Sequence, residues 1–139
     1  MTDIVAFIHS KGGVGKSTLT LFTALALVER GLTVQVLDAD PQASLAHWSH
    51  AADRAGEPLA VHIGSTPSPR FLHEAVTAAR EAEADVVLID TPPGTPDVLD
   101  AAVTVIDLAL VPTAASPMDI DRVWPTLDLL AGIDVLELD

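Results

Sequence analysis

The sequence predicts an α/β fold in which a mostly parallel sheet is covered by helices on both faces. Short apolar runs that fit buried strands alternate with longer segments that fit helices along the 139-residue chain, and this alternation is typical of parallel sheets. A glycine-rich turn joins the first strand to the first helix, as phosphate-binding loops do. The length predicts one domain over residues 1–139.

Three strand–helix units are predicted in the first half of the chain. Continuous apolar runs predict the strands, and apolar residues spaced three and four apart predict the helices. The predicted strands are residues 4–8, 32–37 and 59–63. The predicted helices are residues 19–28, 43–54 and 71–82. Residues expected on the core face of the third helix are Phe71, Leu72, Ala75, Val76 and Ala79.

In the second half, strands are predicted at residues 85–90 and 107–112, with a helix between them. Thr95 is a suitable cap for that helix, and Pro96 suits its first position.

The last predicted elements are a helix over residues 124–131, which Gly132 ends, and a strand over residues 133–138. Trp48 and Trp124 are both expected to pack against the core, because each lies on an apolar helical face.

Composition excludes several classes of function. The chain has 20 acidic and 7 basic residues, a net charge of −13, which opposes strong nucleic-acid binding by this segment because such affinity depends on phosphate contacts. It has no cysteine, so it offers no disulfide, thiolate metal site or iron–sulfur cluster. The five histidines show no metal-ligand spacing. We recognise no signal peptide or membrane span, and expect a cytoplasmic protein.

The strongest chemical signal is the segment at residues 11–18, Lys-Gly-Gly-Val-Gly-Lys-Ser-Thr. Its glycines permit positive φ, so that successive N–H groups can surround an anion, and the following helix adds its positive dipole end. We expect Lys16 to contact the β- and γ-phosphates and the Ser17 hydroxyl to bind Mg²⁺. Ser10 stands where the general pattern has glycine, and Lys11 is an additional lysine.

Three acidic residues follow predicted strands, at the edge where open α/β sheets bind ligands. Asp90 can hold Mg²⁺ directly or through water. Asp38 and Asp40 lie two residues apart, and two carboxylates beside phosphates repel them. They suit the site if Mg²⁺ bridges them to phosphate or if one orients the attacking water.

Taken in order, these motifs resemble those of ParA-type partition ATPases, members of the ParA/MinD group with a deviant Walker-A sequence. The matching segments are residues 11–18, then Val-Leu-Asp-Ala-Asp-Pro-Gln at residues 36–42, then Val-Leu-Ile-Asp-Thr-Pro-Pro at residues 87–93. Residues 111–113 and 116–119 resemble a later segment of that group. The resemblance runs over the whole chain.

The resemblance implies ATP and Mg²⁺ as cofactors and an ATP-dependent homodimer that forms face to face across the nucleotides. Lys11 matches the signature lysine that touches the partner's phosphates, and Asp40 matches the acid that positions attacking water. The implied catalytic residues are therefore Lys11, Lys16 and Asp40. The implied nucleotide-binding residues are Lys11, Gly12, Gly13, Val14, Gly15, Lys16, Ser17 and Thr18.

For the metal, the resemblance implies Ser17 and Asp90 as magnesium residues and Asp38 as an acid near the Mg²⁺ shell. Thr18 is implied as a contact of the α-phosphate.

The resemblance further implies a role in plasmid or chromosome partition. An ATP-bound dimer would bind nucleoid DNA nonspecifically, and a cargo-bound centromere-binding partner protein would stimulate hydrolysis. We therefore expect a cytoplasmic, nucleoid-associated protein that does not bind membranes. Three alternatives stay open. A MinD-like positioning ATPase needs an amphipathic membrane helix, and a metabolic ATP-dependent synthetase would not need Lys11 to cross a dimer. The third is a non-hydrolysing structural remnant, if the truncation is native.

The fold of this group continues past the length given, and that further region carries adenine contacts and basic DNA-binding residues. The chain is thus either a C-terminally truncated fragment or a shortened relative. We expect an exposed sheet edge near residues 105–111 or 133–138.

Overall fold

The computed structural model describes residues 1–9, 13, 15–93 and 96–137. The strands are β1 (Asp3–Phe7), β2 (Val34–Asp38), β3 (His62–Ser65), β4 (Val86–Asp90) and β5 (Leu108–Leu110). The helices are α1 (Lys16–Glu29), α2 (Ser44–Arg54), α3 (Pro69–Glu81), α4 (Pro96–Val103), α5 (Pro117–Asp121) and α6 (Trp124–Glu137). Among these residues, the strands form one parallel sheet in the order β3-β2-β4-β1-β5.

Successive side chains of each strand point to opposite sides of the sheet. Apolar side chains therefore lie on both faces, and helices cover both. On one face, Ile4 and Ala6 of β1 pack in a core cluster with residues of α3 and α4. On the other face, Phe7 packs with residues of α1 and α2, including Leu21 and Leu45. The expected α/β fold with a parallel sheet between two helical layers is confirmed.

The C-terminal prediction was wrong. Residues 124–137 form the continuous helix α6, so Gly132 does not end a helix and no strand begins at residue 133. A short apolar run does not by itself distinguish a buried strand from a helix. Leu130 packs against the core cluster that α3 and α4 share, and such packing offsets the cost of an interior glycine, about 1 kcal/mol. Residues 138 and 139 lie outside the described part of the chain.

Helix α3 begins earlier than expected, and one residue of its predicted core face is exposed. Ser68 caps the helix, accepting a hydrogen bond from the backbone N–H of Phe71 at 3.5 Å. The predicted residues Leu72, Ala75, Val76 and Ala79 pack in or against the core cluster, whereas Phe71 is 55% exposed. Phe71 lies in the first turn, off the stripe that the other four share, so its expected place in the core was wrong.

Smaller differences affect single elements. Strand β3 begins three residues later and ends two residues later than the predicted segment. Helix α4 begins at Pro96 as predicted, although Thr95 lies outside the described residues. Trp48 and Trp124 are 43% and 60% exposed, so the expectation that both pack in the core was wrong. The expected open edge is present at β5, which pairs with β1 alone among the described strands.

Within the described residues, no helix combines the length and apolar character that crossing a bilayer requires.

Candidate nucleotide-binding site

The predicted site residues that the structure describes lie at the carboxyl ends of three neighbouring strands. Phe7, the last residue of β1, is in register with Asp90, the last residue of β4. Asp38, the last residue of β2, is in register with Asp90 from the other side. The in-register ends therefore bring the segment after β1 and both carboxylates to one edge of the sheet, where ligands bind in open α/β folds.

The turn between β1 and α1 uses glycine where the backbone requires it. Gly13 and Gly15 have φ of +72° and +90°, which residues with a Cβ rarely adopt. Gly15 directly precedes α1, which begins at Lys16. The first N–H groups of that helix have no partners within it and can bind an anion. The predicted positions Ser10, Lys11, Gly12 and Val14 lie outside the described residues.

Lys16 is a buried cation at this helix start. Its side chain is 6% exposed, and Nζ donates to the backbone oxygen of His9 at 3.4 Å. Burial lowers the pKa of Lys16, while the negative charges of Asp90 and Asp40 act in the opposite direction. The ammonium group therefore lies in the field of two carboxylates, in the position expected for a phosphate-binding lysine.

Ser17 and Asp90 form the closest polar pair of the site. Ser17 Oγ donates to Asp90 Oδ2 at 2.5 Å, and Asp90 is 1% exposed. Its second oxygen, Oδ1, accepts no hydrogen bond from the described residues. Burial chiefly raises the pKa of Asp90 to about 6; the nearby Asp38 and Asp40 carboxylates add to the rise, and Ser17 and Lys16 oppose it.

This pair fits a magnesium ion. A hydroxyl and a buried carboxylate with an unpartnered oxygen are hard oxygen ligands, and Mg²⁺ completes its shell with water and substrate phosphates. In the described ranges no group of three or more His, Cys, Asp or Glu residues is arranged to hold a metal. The described residues therefore fit a metal ion that is held by few protein side chains and by the phosphate groups of a bound ligand.

Asp38 is placed near the pair, but the backbone uses both of its oxygens. Oδ1 accepts from the N–H of Asp40 and Oδ2 from the N–H of Ala46, each at 3.2 Å. Ala46 lies in the first turn of α2, whose N-cap residue Ala43 provides no side-chain hydrogen bond. Asp38 is fully buried, which chiefly raises its pKa, and the backbone donors oppose that rise. Asp38 therefore caps α2 from β2, and its predicted role near the metal stays a prediction.

A cleft of about 300 Å³ opens beside these residues. Asp40 lines it, half-buried, with Oδ1 accepting from the backbone N–H of Gln42 at 2.9 Å. The other predicted residues that line the cleft are Gly13, Gly15, Lys16, Ser17 and Thr18. The remaining lining residues are Gln42, Ser44, Trp48 and Pro93, the last of them in the loop after β4 that the sequence suggests as a sensor of the γ-phosphate. Trp48 follows Ser44 by four residues in α2, a spacing that places both on one side of a helix.

A larger cavity, about 810 Å³, lies at the opposite edge of the sheet near the start of β1. Its lining residues are Met1, Thr2, Asp3, Arg80, Glu83 and Asp107. None of them belongs to the sequence motifs, so the smaller cleft is the candidate site.

Comparison with known proteins identifies the family to which this chain belongs. The model of the VirC1 protein family matches residues 2–137. The maintenance of carboxysome distribution protein A of Gloeobacter kilaueensis is 37% identical over 121 residues, which are 84% of this chain and 51% of that protein. The chain thus spans about half the length of this relative.

Solved structures share the fold. A putative plasmid partition protein of Borrelia burgdorferi bound to AMPPNP superposes with a TM-score of 0.76 and 17% identity, covering 96% of this chain and 70% of that one. The ParA of pNOB8 bound to nonspecific DNA superposes with a TM-score of 0.71 and 20% identity, covering 91% of this chain and 59% of that one. Because the family model matches almost the whole sequence, the chain belongs to the VirC1 family of ParA-type proteins.

Proposed function

We propose that this chain is the nucleotide-binding part of a Mg²⁺-dependent ATPase that works as an ATP-driven dimeric switch in plasmid or chromosome partition. The observation that carries the proposal is the Ser17–Asp90 pair, with its unpartnered buried oxygen, next to the buried ammonium group of Lys16. The pair and the ammonium group lie at the start of α1, directly after the glycine turn. Together they match the charge pattern of Mg²⁺ and a polyphosphate.

In this proposal the glycine turn and the first N–H groups of α1 hold the phosphates, and Lys16 adds a positive charge to the β- and γ-phosphates. Mg²⁺, when bound through Ser17 and Asp90, neutralises charge on the phosphate oxygens. Asp40 orients a water molecule, whose oxygen bonds to the γ-phosphorus. The bond to the β–γ bridging oxygen breaks, and ADP and inorganic phosphate leave.

The dimeric part of the proposal depends on Lys11. A second cation at the γ-phosphate, supplied by the partner subunit, stabilises the charge of the transition state as an arginine finger does. ATP would then favour the dimer, and hydrolysis would release it. Family membership supports the dimer, and the AMPPNP-bound Borrelia structure, which has the same fold, supports nucleotide binding.

The proposed partners rest on the relatives alone. The pNOB8 ParA structure contains nonspecific DNA, and we propose nonspecific DNA and a cargo-bound centromere-binding protein as partners of the ATP-bound dimer in the cytoplasm, on the nucleoid. This chain carries a net charge of −13, so its own surface favours basic proteins over DNA. DNA binding, where it occurs, should weaken as salt rises.

The proposal is tested with the 139-residue chain, ATP and Mg²⁺, by measuring nucleotide binding in equilibrium dialysis, phosphate release and the molar mass in solution. We expect ATP to increase the molar mass to that of a dimer and phosphate to be released. Asp40→Ala should keep ATP binding but lose phosphate release, and Lys11→Ala should lose dimerisation or hydrolysis. Asp53→Ala, an exposed acid of α2, is the matched control. An unaltered chain that binds no nucleotide would refute the proposal.

A further inference from the structure

Trp48 has an unusual position for a tryptophan. It lies in α2 and lines the candidate nucleotide cleft, with 43% of the residue exposed. Tryptophan is usually well buried, because its ring contributes a large apolar area. An aromatic ring left partly open on the wall of a concave site that also contains Lys16 and Asp40 indicates a contact surface for a ligand.

The position of Trp48 is fixed by the start of α2. Asp38 Oδ2 accepts from the N–H of Ala46, and the backbone oxygen of Asp40 accepts from the N–H of Ala43 at 2.9 Å. Leu45, three residues before Trp48, is fully buried in the core. These contacts join the helix to the end of β2, so the backbone that carries Trp48 is fixed relative to Asp40.

The same turn contains backbone strain. Ala43 has φ of +54°, a left-handed conformation that costs a residue with a Cβ about 1–2 kcal/mol. Such residues cluster at ligand sites, where the surrounding structure holds them in place. The strained residue directly precedes the helix that carries Ser44 and Trp48, and both line the cleft.

The two walls of the cleft differ in chemistry. Lys16, Ser17 and Thr18 of α1 form a polar wall that suits phosphate groups. On the side of α2, the indole offers a rigid apolar face and one donor, Nε1–H. A polyphosphate bound to the first wall therefore has an aromatic wall close by, which limits the access of water.

We propose that Trp48 is a ligand-contacting residue of the nucleotide site, with its indole packed against the nucleotide held by the glycine turn and α1. This inference rests on the proposed nucleotide binding and adds a residue outside the phosphate-loop and acidic motifs. Its indole N–H donates to an oxygen of the phosphates or the ribose, and its ring covers the side of the nucleotide that faces α2.

The chain permits a direct test, because it has two tryptophans and no tyrosine. Trp124→Phe leaves Trp48 as the one fluorophore, and Trp48→Phe leaves Trp124, which is 60% exposed and is not among the residues that line the cleft. ADP with Mg²⁺ is titrated into both variants at a protein concentration where the chain is monomeric. Emission and acrylamide quenching are recorded, and nucleotide affinity is measured separately by equilibrium dialysis.

We expect nucleotide to protect Trp48 from acrylamide and to leave Trp124 unchanged. Trp48→Ala should weaken ADP binding about tenfold, the loss of roughly 1.4 kcal/mol of contact energy, whereas Trp48→Phe, which keeps an aromatic ring but loses the indole N–H, should weaken it less. If Trp48→Ala does not fold, the acrylamide quenching of Trp48 in the Trp124→Phe titration still decides the matter.

Two outcomes would overturn the inference while leaving the proposed function intact. In one, ADP binds by dialysis but the quenching of Trp48 does not change. In the other, the change appears only at concentrations where the chain dimerises, which would place Trp48 at a subunit contact. Absence of any nucleotide binding by the unaltered chain would overturn both the inference and the proposed function.

Discussion

Ser17 Oγ donates a hydrogen bond to Asp90 Oδ2 at 2.5 Å, and this contact joins the first turn of α1 to the last residue of β4. The other oxygen of the same carboxylate is buried and has no partner among the described residues. In the absence of Mg²⁺, the folded chain therefore holds a buried carboxylate whose desolvation the Ser17 hydroxyl and the Lys16 ammonium group only partly compensate. The site is organised for a positively charged ligand at the expense of stability.

This cost predicts a pH-dependent effect of Asp90→Asn. Asp90 has a folded-state pKa of about 6 instead of its ordinary 3.8. Folding favours the protonated form of the Asp90 carboxyl group. Its contribution to the free energy of unfolding is therefore fully present below pH 3.8 and is lost as pH rises through about 6. In chelator, Asp90→Asn should therefore be more stable than the wild type at pH 8, by up to about 3 kcal/mol. The gain should fall to roughly half at pH 5.

Urea denaturation at the two pH values measures this difference. Asp128→Asn, which removes an exposed acid from α6, is the control for the change in net charge. Equal stability of wild type and Asp90→Asn at pH 8 would mean that the ionised, buried carboxylate of Asp90 does not destabilise the folded chain.

Lys16→Ala should abolish measurable nucleotide binding. Hydrogen bonds to charged groups are each worth about 1.5–3 kcal/mol, and we expect Lys16 to contact two phosphates. Calorimetry with AMPPNP and Mg²⁺ measures the loss, because this analogue carries the γ-phosphate that ADP lacks. Arg30→Ala is the matched control, because Arg30 is an exposed cation at the other end of the same helix. Unchanged affinity in Lys16→Ala would remove this lysine from the site.

Asp38→Ala should reduce the free energy of unfolding, in addition to any effect on ATP hydrolysis. The substitution leaves the N–H groups of Asp40 and Ala46 without their buried acceptor, at a cost of about 1–3 kcal/mol. Its free energy of unfolding, measured without nucleotide or metal, should fall by this amount, while Asp40→Ala should stay close to the wild type. If Asp38→Ala is as stable as the wild type yet no longer responds to Mg²⁺, its main role is at the metal.

Sequence alone predicted the five strands of the sheet and the glycine turn before α1, because both depend on local patterns, but the same kind of pattern wrongly predicted a strand in the second half of α6. The apolar run at Ile4 and the glycines at residues 13 and 15 act through burial and backbone freedom, which a sequence displays directly. The capping role of Asp38 was not predicted, because it depends on which helix packs beside the end of β2. Helical periodicity likewise assigned Trp48 to an apolar face without indicating that this face borders a cleft.

Leu108→Lys should reduce self-association of the 139-residue chain. Strand β5 pairs with β1 alone among the described strands, and its Leu108 and Leu110 side chains are 52% and 37% exposed. An apolar edge strand with unpaired backbone groups favours association with other chains, and an outward lysine opposes it. Because Leu108 is exposed, the substitution should change the free energy of unfolding by less than about 0.5 kcal/mol. Light scattering against concentration measures the effect, with Leu32→Lys, 37% exposed and away from this edge, as the control; equal scattering of Leu108→Lys and wild type would show that this edge does not drive association.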